Sequence, residues 1–284
     1  MKIKNFFLGV ATAAMAMAAA SCSNIDEGDR LIYVKPAEVG RAVLIEDFTG
    51  QQCKFCPNGT DVINGIVDTY GEDNVVAVAI HSGSLGFAGN DKVVGLMTDT
   101  GNEYYKHWDK DNKIGQPWVV FNRKTSPDNK YQTWPSILNG IISEKANLSV
   151  DIANAYDADT RTLTTTVGAF GVNGTVNGKL QVWILEDGIK ATQIMPKDGK
   201  PNKEYIHNHV FRAAVNGTWG EKVTVKEGET TTKQYSYVLP KTWRAENISV
   251  VAFVYNSNDK NEVGSVENVA KKHLVEHEEV TENK

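Results

Sequence analysis

Two uninterrupted apolar runs, Ala42-Val43-Leu44-Ile45 and Val75-Val76-Ala77-Val78-Ala79-Ile80, flank a segment in which Val62, Ile63, Ile66 and Val67 recur at helical spacing. Runs without polar alternation belong to strands covered on both faces. Gly71 supplies a helix stop just before the second run. Strand, helix and strand in that order predict a βαβ unit with parallel strands. A third run, Trp118-Val119-Val120-Phe121, follows a Gly-, Asn- and Asp-rich stretch, residues 81–113, in which Tyr104-Tyr105-Lys106-His107-Trp108 reads as a short helix. Trp134, Ile137, Leu138, Ile141 and Ile142 give a further helical pattern that closes this half near Ala146.

Beyond Asn147 the pattern changes to alternating residues punctuated by turn signals. Leu148–Ile152, Thr162–Val167, Lys179–Leu185, His209–Val215, Gln234–Leu239 and Ile248–Tyr255 are the expected strands. Period-two alternation without a long helical pattern predicts an all-β sandwich. At 284 residues the chain exceeds the usual single-domain length, so two folded units are expected. The formal charge of −5, from 30 basic and 35 acidic residues, leaves no cationic surface for phosphates and argues against nucleic acid as a partner.

Lys2 and Lys4 precede an apolar, Ala-rich run from Phe6 to Ala20 that is shorter than the ~20 residues needed to span a bilayer, as in an export signal. It ends in Ala19-Ala20-Ser21-Cys22, which resembles the lipobox of bacterial lipoproteins. That resemblance implies lipidation of Cys22 and attachment to the membrane through that lipid. A plain secretory signal cut nearby is the competing reading, and either one takes the mature chain out of the cytoplasm. Ser23 to Arg30, carrying Asp26, Glu27 and Asp29, reads as a solvated tether. Ser23 after Cys22 argues against retention at the inner membrane and favours the outer one.

Cys53-Lys54-Phe55-Cys56 lies between the first buried strand and the helix. A helix start offers unpaired N–H groups and the positive end of the macrodipole, both of which stabilise a thiolate, and Lys54 adds positive charge. The spacing lets Cys53 attack and Cys56 resolve, so the pair can cycle between dithiol and disulfide. The opposing reading is an inert bridge, the usual fate of paired cysteines in an oxidising compartment. A lone C-x-x-C has no second pair at zinc spacing, so no metal is expected at it. His207 and His209 are two apart with no obvious third ligand, and His81 at the end of the second strand reads as a structural histidine.

Asp47-Phe48-Thr49-Gly50-Gln51-Gln52-Cys53-Lys54-Phe55-Cys56 resembles the active-site segment of thioredoxin-like proteins, with Asp47 at the place of their buried carboxylate. Gly115-Gln116-Pro117 before a hydrophobic strand resembles their cis-proline loop. The resemblance implies catalytic roles for Cys53, Cys56, Pro117 and Asp47, with neighbouring Glu46 as the alternative proton carrier. It further implies substrate contacts by Lys54, Phe55 and Gln116, a cis bond before Pro117, and no cofactor. The expected partners are cysteine-containing envelope proteins or a redox partner. Gln52 in place of Trp and Pro57 in place of Lys depart from the thioredoxin pattern.

The order of parts, from lipobox through Phe48-Thr49-Gly50-Gln51-Gln52-Cys53 to Tyr205-Ile206-His207-Asn208-His209-Val210, is similar to the family of outer-membrane lipoproteins of about 28 kDa from Gram-negative anaerobes. The expected organisation is then a signal peptide at 1–21, an acidic tether at 22–36, an α/β thioredoxin-like domain at 37–146 with an insertion at 81–113, an immunoglobulin-like β-sandwich at 147–274 and a charged tail at 275–284. Two functions follow: thiol–disulfide exchange on envelope proteins, or a surface lipoprotein that binds a peptide, glycan or partner protein and carries a structural Cys53–Cys56 bridge.

Overall fold

A computed structural model of the chain describes residues 40–257 and 262–275. The leader, Cys22, the tether and nearly all of the charged tail lie outside the described residues. The βαβ unit forms as expected. Strand β1 (Val43–Thr49) leads into helix α1 (Cys56–Tyr70), and β2 (Val75–His81) returns parallel to β1 with Val43 opposite Val75. Helix α2 (Asp99–Trp108) sits in the inserted segment, capped by the Thr98 side chain, which accepts from Gly101 N–H. Strand β3 (Trp118–Phe121) pairs antiparallel with β1, and the short helix α3 (Trp134–Asn139) follows.

The remaining strands are β4 (Leu148–Asp157), β5 (Thr162–Gly171), β6 (Val176–Glu186), β7 (Ile189–Ile194), β8 (Pro201–His207), β9 (Val210–Ala214), β10 (Glu221–Val225), β11 (Thr230–Val238), β12 (Ile248–Asn256) and β13 (Val266–His273). Strands β7, β8, β10 and β13 are elements that alternation did not reveal. Thirteen strands against three α-helices make the described residues predominantly β.

This overturns the expected fold class. In place of an α/β thioredoxin-like domain followed by a separate immunoglobulin-like sandwich, one mixed eight-stranded sheet runs β13-β12-β6-β9-β2-β1-β3, with β10 also on β6. The joint is β2 against β9, in parallel, where Ala79 N–H donates to His209 O at 2.8 Å. The physical reason is that β9 presents a free edge where the small βαβ sheet also has one, and pairing removes both. All described residues fall in one compact unit.

Three cores are built on this sheet. On one face of the β1–β2–β3 end, Ile63, Ile66 and Val67 of α1 pack with Val43, Ile45, Ala77, Phe121 and Trp134. On the other, Phe48, Val78 and Ile80 join Trp183, Phe211 and Phe253 from β6, β9 and β12 beneath Tyr104 and Tyr105 of α2. Residues of opposite parity on β6 and β12, among them Val182, Ile184, Val250 and Ala252, face the second sheet β11-β5-β4. Both faces of β6 and β12 are therefore covered, which explains their nearly unbroken burial.

Within the second core, Arg123 is fully buried and its guanidinium donates three times to the Glu46 carboxylate, at 3.0–3.2 Å. The rings of Phe253 and Tyr255 lie 4.9 and 4.8 Å from its Cζ. Polar neighbours and π faces together make burial of the charge tolerable.

Candidate functional site

Cys53 and Cys56 form a disulfide at the junction of β1 and α1, with a Cα–Cα distance of 5.4 Å. The loop is held by Cys53 N–H to Gly50 O at 3.0 Å and Gln52 N–H to Leu85 O at 3.0 Å. Gly50 is required there, because a Cβ at that position would fall 2.3 Å from Leu85 O. Both cysteines are buried, at 1% and 2% exposure, whereas Phe55 between them is 53% exposed. Gln52 and Lys54 are exposed too, and the Lys54 ammonium sits 5.6 Å from the Phe55 ring. The loop thus turns its polar and aromatic side chains outward and its sulfurs inward.

The inward side borders a cavity of about 70 Å³ lined by Asp47, Cys56, His81, Gln193 and His207 among others. Asp47 lies one residue from Glu46 on β1 and points to the opposite face, so the cavity receives Asp47 while Glu46 is committed to Arg123. Burial pushes the Asp47 carboxyl up to about 8, so it is mostly protonated at neutral pH. Burial, then the neighbouring His207, drives His81 well below its ordinary value. Burial also lowers His207 to about 4, against a backbone hydrogen bond with Ala191 that raises it. The two imidazole rings meet edge-on with centroids 5.1 Å apart. Three atoms of this group, Asp47 Oδ1, His81 Nδ1 and His207 Nε2, have no hydrogen-bond partner among the described residues.

The Gln116–Pro117 bond is cis. Pro117 lies on the first turns of α1: a Cβ at Gly59 would approach its Cγ to 2.9 Å. Gln116 is turned inward, its amide donating to Thr49 O at 2.8 Å and Ser82 O at 3.0 Å, which ties the ends of β1 and β2 to the proline loop. The structure thus gathers Asp47, Cys56 and His81 at one cavity with Pro117 near α1, and leaves Lys54 and Phe55 outside.

Sequence reasoning missed what covers the loop. The β7–β8 hairpin lies over it, and the Gln193 amide donates to Cys53 O at 2.9 Å and to Gly50 O at 3.3 Å. Gln51 reciprocates, its amide reaching Thr192 O at 3.0 Å. The one available signal was His207, noted as part of a histidine pair. Both His207 and His209 border the cavity, but they have different partners: the His207 ring meets His81 edge-on, whereas His209 Nδ1 lies 3.3 Å from Asp187. Among the described residues no group of three or more His, Cys, Asp or Glu is placed to hold a metal.

Residues 101–278 match the model of the family described as outer membrane protein Omp28. The chain belongs to that family. Its place is accordingly the outer membrane, as the order of its parts led us to expect. No helix among the described residues is long and apolar enough to cross a membrane. Among solved structures, HBP35 of Porphyromonas gingivalis superposes with a TM-score of 0.62 at 19% identity, over 83% of this chain and 76% of that one. A protein of Agrobacterium tumefaciens superposes with a TM-score of 0.52 at 17% identity, over 85% and 98%. These two likenesses speak to the fold alone. A domain of the outer membrane lipoprotein Omp28 from Porphyromonas gingivalis is 27% identical over 45% of this chain and 88% of that one, with a TM-score of 0.32. A search of curated proteins found no match.

Proposed function

We infer that this Omp28-family chain serves at the outer membrane as a lipid-anchored binding module for a peptide, glycan or partner protein, with Cys53–Cys56 as a covalent staple of the loop and Cys22 as the lipid attachment. One observation carries this reading: both cysteines are buried in a loop to which the β7–β8 hairpin is bonded, whereas exchange requires a sulfur that an incoming thiolate can reach. The exposed Gln52, Lys54 and Phe55 form the outward surface of the stapled loop and suit contact with another molecule. The test pairs an insulin-reduction assay with binding to immobilised peptide and glycan arrays. The expected result is no acceleration of insulin reduction, with array ligands retained by the Cys53→Ser/Cys56→Ser protein. Turnover of insulin that Cys53→Ser abolishes would reverse the reading.

Thiol–disulfide exchange is the second reading, favoured by the raised pKa of Asp47 beside Cys56. On that reading an external dithiol first reduces the bridge; the Cys53 thiolate then attacks a substrate disulfide and displaces one substrate thiolate, Cys56 attacks Cys53 Sγ to release the second and re-form the bridge, and Asp47 in its ionised form accepts the Cys56 proton. Asp47→Asn then lowers the exchange rate and removes an ionisation near pH 8 from its pH profile, and an unchanged profile would eliminate this role.

A further inference from the structure

The geometry points to the β7–β8 hairpin being a hinged cover over the Cys53–Cys56 loop, one that opens as a unit while the eight-stranded sheet stays folded. This goes beyond the binding role and holds whether or not the bridge is ever exchanged in use.

The hairpin pairs with no other strand of the described residues. Its non-polar anchorage is small, Ile189 and Ala191 against Leu96 and Val210 and the His207 ring edge-on against His81. It is held down chiefly by polar contacts: Gln193 to the carbonyls of Gly50 and Cys53, Ile194 N–H to Gln51 O at 2.9 Å, and Gln51 to Thr192 O. Elements with few buried apolar contacts and localised hydrogen bonds are those that open first. Both ends of the hairpin carry a left-handed residue, Gly188 with φ 67° before β7 and His209 with φ 56° after β8. His209 lacks the freedom of glycine, so the exit of the hairpin is strained. Asp47 Oδ1 and His81 Nδ1 beneath the hairpin, and His207 Nε2 on the hairpin itself, are unpartnered and reach solvent when it lifts, which favours opening.

Dithiothreitol serves as the probe. Each reduction breaks the Sγ–Sγ bond and leaves two cysteine thiols, the electrons and protons coming from the reagent as it closes into its own cyclic disulfide. We expect the rate for the native full chain to level off at high reagent, where opening limits it. Gln193→Ala should be reduced about tenfold faster. Gln234→Ala, whose amide bonds Thr166 on the second sheet, should match the native rate. Hydrogen exchange of the native protein supplies the measurement that needs no variant: amides of β7 and β8 should exchange ahead of those of β6 and β12. If hairpin and β12 amides exchange together, or if Gln193→Ala is reduced at the native rate, the hairpin does not open on its own and the inference fails. Reduction that stays proportional to reagent at the rate of the unfolded chain would show that there is no cover at all.

Discussion

Asp47, His81 and His207 share one cavity and their titrations pull stability in opposite directions. Below about 6.5 the two imidazoles are charged in the unfolded chain, while burial holds His207, at about 4, and His81, well below its ordinary value, toward the neutral form in the folded one, so the unfolded state holds more protons on them. Over the same range the folded state holds one extra proton on Asp47, whose value is about 8 against roughly 3.9 unfolded. Where both imidazoles are neutral in the folded chain they outweigh Asp47, and stability from this trio rises with pH. Above 6.5 the unfolded imidazoles lose their protons and Asp47 dominates, so the sign reverses and stability falls until about pH 8. Denaturant melts across pH should therefore peak near 6.5, and Asp47→Asn should abolish the net decline of about 1 kcal/mol between pH 6.5 and 8. A variant that declines as steeply as the wild type would remove Asp47 as the cause. Arg123 behaves differently, because its charge is matched. Arg123→Ala leaves Glu46 buried and unpaired and should cost about 3–5 kcal/mol, measurable by urea titration, while the double change Arg123→Met/Glu46→Leu should cost clearly less.

At the level of elements, what the sequence disclosed depended on where each strand finds its partners. β1, β2 and β3 were legible because both of their faces are buried, leaving continuous apolar runs. β4 and β5 were legible because one face is wet and alternation survives. The β7–β8 hairpin was not, since Ile189-Lys190-Ala191-Thr192-Gln193-Ile194 and Pro201-Asn202-Lys203-Glu204 have neither pattern. Its hold on the site runs through glutamine amides and backbone carbonyls, which no hydrophobic period records. The Cys–Asp–Pro constellation was legible as spacing, but the hairpin's bonds to that loop were not. The disulfide itself closes a short ring, so its loss releases little chain entropy: Cys53→Ser/Cys56→Ser should lower stability by only about 2 kcal/mol. A calorimetric loss much larger than this would mean that the bridge also holds the hairpin in place.

For the whole molecule, the decisive feature is a joint that leaves no trace in composition. The βαβ end and the sandwich end meet through Ala79 and Val210, and the aromatic core behind that joint draws Phe48 and Ile80 from one end and Trp183, Phe211 and Phe253 from the other. Neither end can keep this core dry alone, and the buried Arg123 lies in it with its carboxylate partner on β1 and its aromatic neighbours on β12. A chain of two independent domains would melt in two steps, each moved only by substitutions in its own half. Here Leu44→Ala in β1 and Val250→Ala in β12, both fully buried, should each displace one common transition. The losses should be roughly 2–5 kcal/mol for Leu44 and somewhat less for the smaller Val250. Scanning calorimetry decides it: the calorimetric enthalpy should equal the van't Hoff enthalpy for the wild type and for both variants, whereas a second peak that moves with only one of them would show that the shared sheet does not couple the two ends.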